Sequence, residues 1–382
     1  MPTGFFRVKE LPMPSPFFNI EMLPAKHGDA LLVQYGKDRT RRILIDGGPL
    51  GAYPAVEKRL SEIPPGDQSV ELLVVTHVDT DHIEGIIRLM AMPEQKWPIQ
   101  LEQIWFNGWR HIEEARDLGG REGEFMGALI HHRANERWNT SFGHKAVRCG
   151  ALPNDEVPLA DGMKLTLLSP DADALAALLK DWKKSATDWD IDPGDLEAAW
   201  EQLVKENKFH PDAELTLGPE DLTAKLRSLL KGTDPSKANG SSIAFIAEFN
   251  GKSCMFLGDA HVNVVCESLN RLGYSKAKPL KVNAVKVSHH GSKNNITERF
   301  LELVDARHWL FSTNGAVHKH PDKEAVEAVI LGSITDPTLW FNYRSSFTEK
   351  WEEGAQKPTA RYRTRYPASG EEGIVLRLEE LE

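Results

Sequence analysis

The chain has 382 residues, of which 41% are hydrophobic and 27% are charged, and its formal net charge is −10 at neutral pH. Such a chain is long enough to bury a full core, and its composition excludes an intrinsically disordered protein. The acidic balance argues against broad nonspecific coating of nucleic acid, although a nuclease that carries bound dications stays possible.

Targeting and redox signals are sparse in this sequence. No run of eighteen apolar residues occurs, so we expect no membrane-spanning helix and no membrane partner. The first residues lack the charged-then-apolar pattern of a secretory signal. The cysteines, Cys149, Cys254 and Cys266, are few and scattered, which suggests reduced thiols instead of disulfides or a cysteine zinc site. We therefore expect a cytoplasmic protein.

The first part of the chain predicts a layered α/β domain. Apolar runs at 17–21, 30–35 and 42–45 are separated by polar turns and predict an antiparallel meander. A helix is expected at 55–60, and the β-branched run Val70–Val75 predicts a buried strand. Strands and helices that alternate in this way favour layers of both.

A dense group of potential metal ligands follows the Val70–Val75 run. The four side chains are His77, Asp79, Asp81 and His82. They precede an amphipathic helical pattern at 83–90, so they lie on a strand-to-helix turn, where open α/β sheets usually place their chemistry. Imidazoles and carboxylates are ligands for zinc or manganese. The alternative, a solvated polar loop, fits this context less well.

Residues 171–237 differ in texture from the segments on either side. They are charged and contain three runs of strong helix formers, at 173–180, 196–203 and 222–230. We interpret them as a helical insertion within a single domain that spans residues 1–382. The insertion could cover the site, contact a partner or simply extend the surface.

The remaining elements bring further polar residues to strand ends. Strands are expected at 103–107, 163–168, 242–249, 253–257, 284–287 and 309–312, and a helix is expected at 264–272. The pair Asn250-Gly251 predicts a tight hairpin between two of these strands. Asp46, the His77–His82 segment, Asp259 and the pair His289-His290 each follow a predicted strand. One such residue could be a structural cap, but four of them at one sheet edge would supply a dinuclear hydrolytic centre.

These motifs together resemble those of the metallo-β-lactamase-fold hydrolases. The chain is most similar to the branch that contains the metallo-hydrolase domain of bacterial DNA-uptake channel proteins and the bacterial phosphorylcholine esterases. The resemblance rests on H-x-D-x-D-H at His77–His82, G-D-A at Gly258–Ala260 and H-H-G-S at His289–Ser292, with Lys26–Ala30 similar to an early G-Q-G-D-A motif. It covers about residues 17–320 outside the insertion, and it implies a four-layer αββα sandwich.

The resemblance also implies roles for individual residues. His77 and Asp79 would hold a first divalent ion, Asp81 and His82 a second, and Asp259 would bridge both. We expect His290 to be the last ligand instead of His289, because neighbouring side chains of an extended strand point in opposite directions. Asp46 would orient a ligand, and Asp81 could also orient the nucleophile. His289, His318 or His320 could protonate the leaving oxygen, although His318 and His320 could equally be an exposed loop pair.

Two departures from the family pattern concern the first ion. Asp79 stands where most of the superfamily has a histidine, and the oxygen ligand shifts the preference towards manganese or other hard ions relative to zinc. In addition, no histidine precedes Asp259 at the usual distance, and Asn239–Ser242 occupies that place. His131 and His144 are the possible substitutes, although their spacing does not favour them.

The leading functional hypothesis is a metal-dependent phosphodiesterase, including a nuclease, that uses water activated by two zinc or manganese ions. The alternatives are a carboxylic ester, lactone or amide hydrolase with the same fold, and a binding or regulatory module without turnover. The segment Arg361–Tyr366 alternates basic and other residues. It could contact the phosphates and bases of a nucleic-acid substrate, or it could be a strand with one basic face.

Overall fold

Two β-sheets lie at the centre of the fold, and they contain the strands predicted from the sequence together with others that were not predicted. The computed structural model describes residues 16–113, 121–178, 194–205, 235–357 and 359–380. The strands, numbered β1 to β16 in chain order, are Phe17–Met22, Leu31–Gly36, Arg41–Ile45, Ser69–Val70, Leu72–Val74, Gln100–Leu101, Ile104–Trp105, Glu156–Pro158, Lys164–Ser169, Ala244–Phe249, Lys252–Phe256, Leu280–Lys286, Val304–Phe311, Thr338–Phe341, Arg363–Arg365 and Ile374–Arg377.

The helices pack on the outer faces of these sheets. Numbered α1 to α10 in chain order, they are Tyr53–Ser61, Thr80–Ala91, Trp109–Glu113, Arg121–Ala134, Leu196–Lys205, Pro235–Gly240, Val262–Arg271, Glu298–Leu303, Lys323–Gly332 and Lys350–Ala355. Residues 172–178 are also helical. In the part of the chain that the structure describes, no helix is long and apolar enough to cross a membrane.

The two large sheets are both mixed. The six-stranded sheet has the order β16-β1-β2-β3-β5-β7, and the eight-stranded sheet has the order β15-β14-β13-β12-β11-β10-β9-β8. The opening β1-β2-β3 meander is antiparallel as predicted, whereas β3 and β5 run parallel, as do β11 and β12. The carboxyl ends of these parallel pairs therefore present their following residues at one edge of each sheet.

Local sequence explains several of these elements. In β1 the buried side chains Phe18, Ile20 and Met22 alternate with half-buried ones, which is the period of a strand with one face in the core. The turn between β10 and β11 has left-handed backbone at both Asn250 (φ 49°) and Gly251 (φ 76°). Because asparagine and glycine tolerate this conformation best, the pair closes the predicted hairpin.

Three apolar layers separate the four layers of secondary structure. The middle layer packs the two sheets against each other through side chains such as Val33, Leu72, Leu167 and Phe256. The outer face of the six-stranded sheet packs on α1, α2 and α4, and that of the eight-stranded sheet packs on α7, α8 and α9. The chain therefore has the expected α/β architecture, a four-layer αββα sandwich.

The run Val70–Val75 differs from its prediction as one continuous strand. It divides into β4 and β5, and β4 pairs with β6 in a separate two-stranded sheet. Glu71 lies at the break, where its carboxylate accepts hydrogen bonds from the Tyr35 hydroxyl at 2.5 Å and from the Ala160 N–H at 2.7 Å. The polar contacts of this one side chain interrupt an otherwise apolar strand.

Parts of the proposed helical insertion can be compared with the structure. The helix predicted at 196–203 is α5, and the one predicted at 173–180 is helical over residues 172–178. The helix predicted at 222–230 lies outside the described residues. Leu175, Ala199 and Leu203 are buried in the same apolar layer as α2 and α4. That the whole chain forms a single domain remains our proposal.

Candidate metal centre

The predicted strand-end residues lie close together at one edge of the two sheets. Asp46 follows β3, His77 follows β5 at a distance of three residues, and Asp259 follows β11. His289 and His290 follow β12 in a short 3-10 turn, Ser288–Gly291. The residues that follow these four strands therefore lie close together in the folded chain.

Asp259 stands at the middle of this group, and its two carboxylate oxygens face different imidazoles. Oδ1 lies 3.3 Å from His82 Nε2 and 3.8 Å from His290 Nε2. Oδ2 lies 4.0 Å from His77 Nε2 and 3.8 Å from His289 Nε2. The carboxylate is 2% exposed. A buried carboxylate with two such faces has the geometry of a bridge between two ions.

The first group of donors surrounds Asp259 Oδ2. Besides the imidazoles of His77 and His289, it includes Asp79, whose Oδ2 lies 3.7 Å from His77 Nε2. Asp79 is the residue immediately before α2. The group thus contains two imidazole nitrogens, from His77 and His289, and two carboxylate oxygens, from Asp79 and Asp259.

The second group surrounds Asp259 Oδ1. His82 Nε2 and His290 Nε2 lie 3.3 Å apart, and Asp81 Oδ2 lies 3.3 Å from His290 Nε2. Asp81 and His82 both belong to the first turn of α2, so the helix presents them on adjacent positions. His82 and His290 are buried. Ligands that sit about 2.1 Å from a tetrahedral ion are about 3.4 Å from one another, which fits these separations.

The donor atoms themselves indicate what they could hold. Among the described residues, His77 Nε2 and Asp259 Oδ1 are buried and have no hydrogen-bond partner. A buried polar atom without a partner costs free energy, so such atoms are normally satisfied. Imidazole nitrogens and carboxylate oxygens in this number suit a divalent ion such as zinc or manganese. The residues present therefore fit a site for a divalent ion.

The charge state of these groups reflects a strong excess of carboxylates. Burial lowers the pKa of His290, but Asp259 and Asp29 raise it, to about 10. Burial likewise opposes the charged form of His82, while Asp259, Asp46 and Asp81 raise its pKa well above the ordinary value. The carboxylates at this edge therefore favour cations strongly, whether these are imidazoliums or metal ions.

Asp46 fixes the orientation of both first histidines. Its Oδ2 lies 2.8 Å from His82 Nδ1 and accepts a hydrogen bond from Thr76 Oγ1 at 2.7 Å. Thr76 Oγ1 lies 3.0 Å from His77 Nδ1. Asp46 thus holds His82 directly and His77 through Thr76, which leaves the Nε2 atom of each ring facing Asp259. A ligand imidazole commonly uses its other nitrogen in this way.

Close packing holds α2 against the loop that carries Asp46. The Gly47 N–H donates to the His82 carbonyl at 2.8 Å. A Cβ atom at Gly85 of α2 would lie 2.0 Å from the Gly47 carbonyl oxygen. Only glycine fits there, so this position lets the helix approach the loop closely enough for the His82–Asp46 contact.

The prediction that only one of His289 and His290 faces the site assumed extended backbone at these residues, and the structure has a different backbone there. The two residues have φ angles of 51° and 54°, in the left-handed region, and they lie in a 3-10 turn. Neighbouring side chains alternate strictly only in a strand. In this turn both Nε2 atoms lie 3.8 Å from an Asp259 oxygen, one on each side of the carboxylate.

The segment that replaces the usual third histidine contributes supporting contacts. Asn239 Nδ2 lies 3.3 Å from His289 Nδ1. Ser242 Oγ accepts a hydrogen bond from the Asp259 N–H at 3.0 Å and lies 3.4 Å from His77 Nδ1. Ser242 therefore supports Asp259 and His77, and Asn239 supports His289. His289 is the second imidazole on the Oδ2 side, beside His77.

Two residues that sequence reasoning missed lie beside the second group. Asp29 is buried and belongs to the set of close donors that also contains His82, Asp259 and His290. It forms an ion pair with Lys286, the last residue of β12, which is fully buried. A lysine within the apolar run Ala284–Val287 was the available signal, because a charged residue in a buried strand needs a partner.

His318 and His320 are placed on the loop after β13. The ring centroids of His320 and His289 are 5.4 Å apart, and those of His318 and His320 are 6.0 Å apart. His320 Nδ1 lies 3.5 Å from Asp322 Oδ1. Burial lowers the pKa of His320, Asp322 opposes this, and the other histidines lower it further, to about 4. His318 is exposed, so His320 is the one that contacts the group around Asp259.

Other candidates from the sequence have different surroundings in the structure. His144 Nδ1 contacts the Trp138 carbonyl at 2.8 Å, and the ring of His131 contacts that of His132. Among the contacts of the described residues, none joins His144 or His131 to Asp259. Arg363 and Arg365 are exposed on β15, with a half-buried residue between them. This alternation favours the interpretation as a strand with one basic face.

No family model and no curated protein matches this chain. Among solved structures, it is similar to the metallo-β-lactamase fold protein YhfI from Bacillus subtilis, with 9% identity over 95% of this chain and 100% of that one and a TM-score of 0.38. Zn-bound PqqB from Methylobacterium extorquens is 10% identical over 92% of this chain and 87% of that one, with a TM-score of 0.37. A diphosphatase from the PhnP family is 11% identical over 94% and 97% of the two chains, with a TM-score of 0.37. Because these scores are low, the assignments below rest on the geometry of this chain alone.

Proposed function

We propose that this protein is a metal-dependent hydrolase that holds two divalent ions on either side of Asp259 and cleaves phosphodiesters. The observation that carries the proposal is the division of donors around that carboxylate. Its Oδ1 faces His82 and His290, whereas its Oδ2 faces His77 and His289. Such a division is what a carboxylate that bridges two ions requires.

The proposed ligands fall into two sets that share Asp259. His77, Asp79 and His289 would hold the first ion, and Asp81, His82 and His290 would hold the second. The inclusion of His289 gives the first ion a second imidazole, in place of the histidine that the sequence lacks before Asp259. Both sets contain nitrogen and oxygen donors, so zinc and manganese are the ions to test first.

Charge balance supports two ions instead of one. Five carboxylates surround or contact the site, and they belong to Asp29, Asp46, Asp79, Asp81 and Asp259. The lysine Lys286 pairs with one of them, Asp29. Two dications and this lysine would neutralise the five carboxylates and leave the imidazoles free to bind as neutral ligands. With a single dication, His82 and His290 would have to stay protonated to balance the charge, and neither could then be a ligand.

A phosphodiester substrate agrees with the hard, oxygen-rich donor set. Bound dications would supply an activated water and Lewis acidity towards the phosphate oxygens. Asp81 stands in the first turn of α2, where its carboxylate could orient the attacking nucleophile as well as bind an ion. His320 packs against His289, and its pKa of about 4 leaves it neutral near pH 7. We therefore propose that it faces the leaving oxygen as a hydrogen-bond partner and that water supplies the proton.

The test is hydrolysis of bis(p-nitrophenyl) phosphate and of single-stranded DNA, each with zinc or manganese. We expect turnover that disappears in Asp259→Asn and persists in the control Asp336→Asn. The Asp336 side chain is 63% exposed and lies 77 positions after Asp259 in the sequence. A lactone and thioester panel should give lower turnover than the phosphate esters. If the protein binds metal but hydrolyses neither phosphodiester, the proposed activity is wrong. Turnover of the lactone panel would then indicate the ester hydrolase alternative, and no turnover would indicate a binding module.

A further inference from the structure

A lysine inside the core contacts the candidate metal centre from behind. Of the lysines in the described part of the chain, only Lys286 is fully buried. Its Nζ donates one hydrogen bond to Oδ2 of Asp29 and another to the carbonyl oxygen of Val287 at 3.0 Å. A buried ammonium group is strongly disfavoured unless it is paired and hydrogen-bonded, so these contacts explain how it is tolerated.

The other oxygen of Asp29 faces the ring of His290. Asp29 Oδ1 lies 3.4 Å from His290 Nδ1, which also lies 3.0 Å from the Ser312 carbonyl oxygen. With Nδ1 turned towards these two oxygens, His290 Nε2 faces Asp81 and Asp259. Lys286, Asp29 and His290 therefore form a buried row that ends at the proposed second ion.

The row has a physical consequence for the ligand. A carboxylate beside the outer nitrogen of a ligand imidazole fixes its tautomer and orientation and makes it a better donor. Asp29 lies near enough to the other donors to compete for an ion itself. Lys286 occupies one of its oxygens, so the carboxylate stays on the outer side of His290. The same lysine also compensates the charge of a carboxylate that would otherwise be buried without a cation.

We infer that Lys286 and Asp29 act as a positioning pair for His290 and set the affinity of the ion site that His290 completes. This inference rests on the proposed function, because it requires an ion at His290. A purely structural ion pair is the competing explanation. Such a pair would affect the stability of the protein but would leave the affinity for metal unchanged.

The experiment compares metal binding by the full-length protein and by the double variant Lys286→Met with Asp29→Asn. Replacing both charges avoids a lone buried ion, which a single substitution would leave. Calorimetric titration of zinc into the metal-depleted protein gives the affinity of each site, and the same titration of His290→Ala identifies the site that depends on His290. We expect that site to bind about 10- to 100-fold more weakly in the double variant, with the other site unchanged within about threefold.

The matched control removes a second buried cation elsewhere. Arg42 is 3% exposed and pairs with Asp67 at 2.5 Å. It lies four residues before Asp46, or about 13 Å along an extended chain, so Arg42→Met with Asp67→Asn should leave both affinities unchanged. If the Lys286 double variant does not fold, Asp29→Glu is titrated instead, since it keeps a carboxylate for Lys286 but shifts it relative to His290, and the same site should weaken.

Unchanged affinity of the His290 site in a folded Lys286 variant would overturn the inference while leaving the proposed function in place. An equal loss in the Arg42 control would also overturn it, since the effect would then be general destabilisation. If the wild-type protein binds neither zinc nor manganese, both the inference and the proposed function are wrong. If the wild-type protein binds two ions and only the Lys286 double variant loses affinity at the His290 site, both the inference and the proposed function are supported.

Discussion

The Nδ1 atom of His82 lies 2.8 Å from the Oδ2 atom of Asp46, and both residues are fully buried. The same carboxylate accepts a hydrogen bond from the Thr76 hydroxyl, which in turn contacts His77. One side chain at the end of β3 thus orients two imidazoles of the His77–His82 motif. Because both rings depend on it, Asp46 should influence both proposed ions without touching either.

Asp46→Asn tests this dependence. Oδ2 of Asp46 faces both Thr76 Oγ1 and His82 Nδ1, and Oδ1 accepts a hydrogen bond from the Thr76 N–H at 2.7 Å. Either orientation of an amide therefore places its NH2 group where an acceptor is needed. We predict that the affinity for each of the two ions falls by about 10- to 100-fold, as is typical when an outer partner of a ligand is changed. Calorimetric titration with zinc or manganese measures this. Loss at only one of the two sites would contradict the shared role.

His289 and His290 should have separable effects, because they face different oxygens of Asp259. We predict that His289→Ala weakens the first ion and His290→Ala weakens the second, each by more than about 100-fold, since a direct ligand contributes more than an outer partner. Elemental analysis after dialysis should then find about one ion per chain in each variant. His318→Ala, a change in an exposed histidine of the neighbouring loop, should retain both ions. Two retained ions in His289→Ala would show that this residue is not a ligand.

Gly28→Ala should disturb the loop that carries Asp29. A Cβ atom at this position would lie 1.8 Å from the Asp81 carbonyl oxygen, in the first turn of α2. Backbone must shift to admit it, and we predict a loss of about 1–3 kcal/mol in the free energy of unfolding together with weaker metal binding.

The control for this change is Gly66→Ala. No other atom lies within 4 Å of a Cβ at Gly66, although its φ of +88° makes an alanine there strained. This variant should lose about 1–2 kcal/mol of stability and keep its metal affinity. Chemical denaturation and metal titration of both variants separate the two effects. Equal metal affinity in Gly28→Ala and the wild type would contradict the packing argument.

Glu124 of α4 should make stability depend on pH independently of the metal centre. Burial raises its pKa, a hydrogen bond from the Gly194 N–H at 3.0 Å opposes this, and the balance is about 7 against an ordinary 4.5. The folded protein therefore binds this proton more tightly than the unfolded chain does. Stability contributed by the protonated carboxyl is present below about pH 4.5 and is lost as the pH rises through 7.

Glu124→Gln removes this ionisation while keeping an oxygen for Gly194. We predict that the variant and the wild type have similar unfolding free energies at pH 4.5, and that the variant is more stable by roughly 2–3 kcal/mol at pH 8. Denaturant titrations at both pH values measure the difference. Glu267→Gln, a change in a side chain that is 65% exposed, should show no such trend. A constant difference between Glu124→Gln and the wild type at both pH values would contradict the raised pKa.

The sequence was sufficient for the architecture and for the residues that follow strands. Alternation in β1, the Asn250-Gly251 turn and the apolar runs have local causes, so they predict elements correctly. Asp46 and His77 meet because the parallel strands β3 and β5 end at one edge of the six-stranded sheet. Asp259 follows a strand of the eight-stranded sheet, so the meeting of all three across two sheets differs from the expected single sheet edge. These predictions required no knowledge of which side chains touch.

What the sequence did not predict depends on contacts between distant segments. Asp29 and Lys286 are 257 positions apart, and neither has a neighbour in sequence that reveals the pair. The left-handed backbone at His289 and His290 is rare for such residues, so a strand-like alternation was the natural but wrong expectation. The role of Ser242 likewise depends on where β10 begins relative to β11.

The most direct measurement of the central claim is a crystal structure of the protein grown with zinc or manganese, with anomalous scattering used to locate the ions. We predict two peaks, one on each side of the Asp259 carboxylate, with His77 and His289 at one and His82 and His290 at the other. A single peak, or peaks that do not contact Asp259, would contradict the two-ion site on which the proposed function depends.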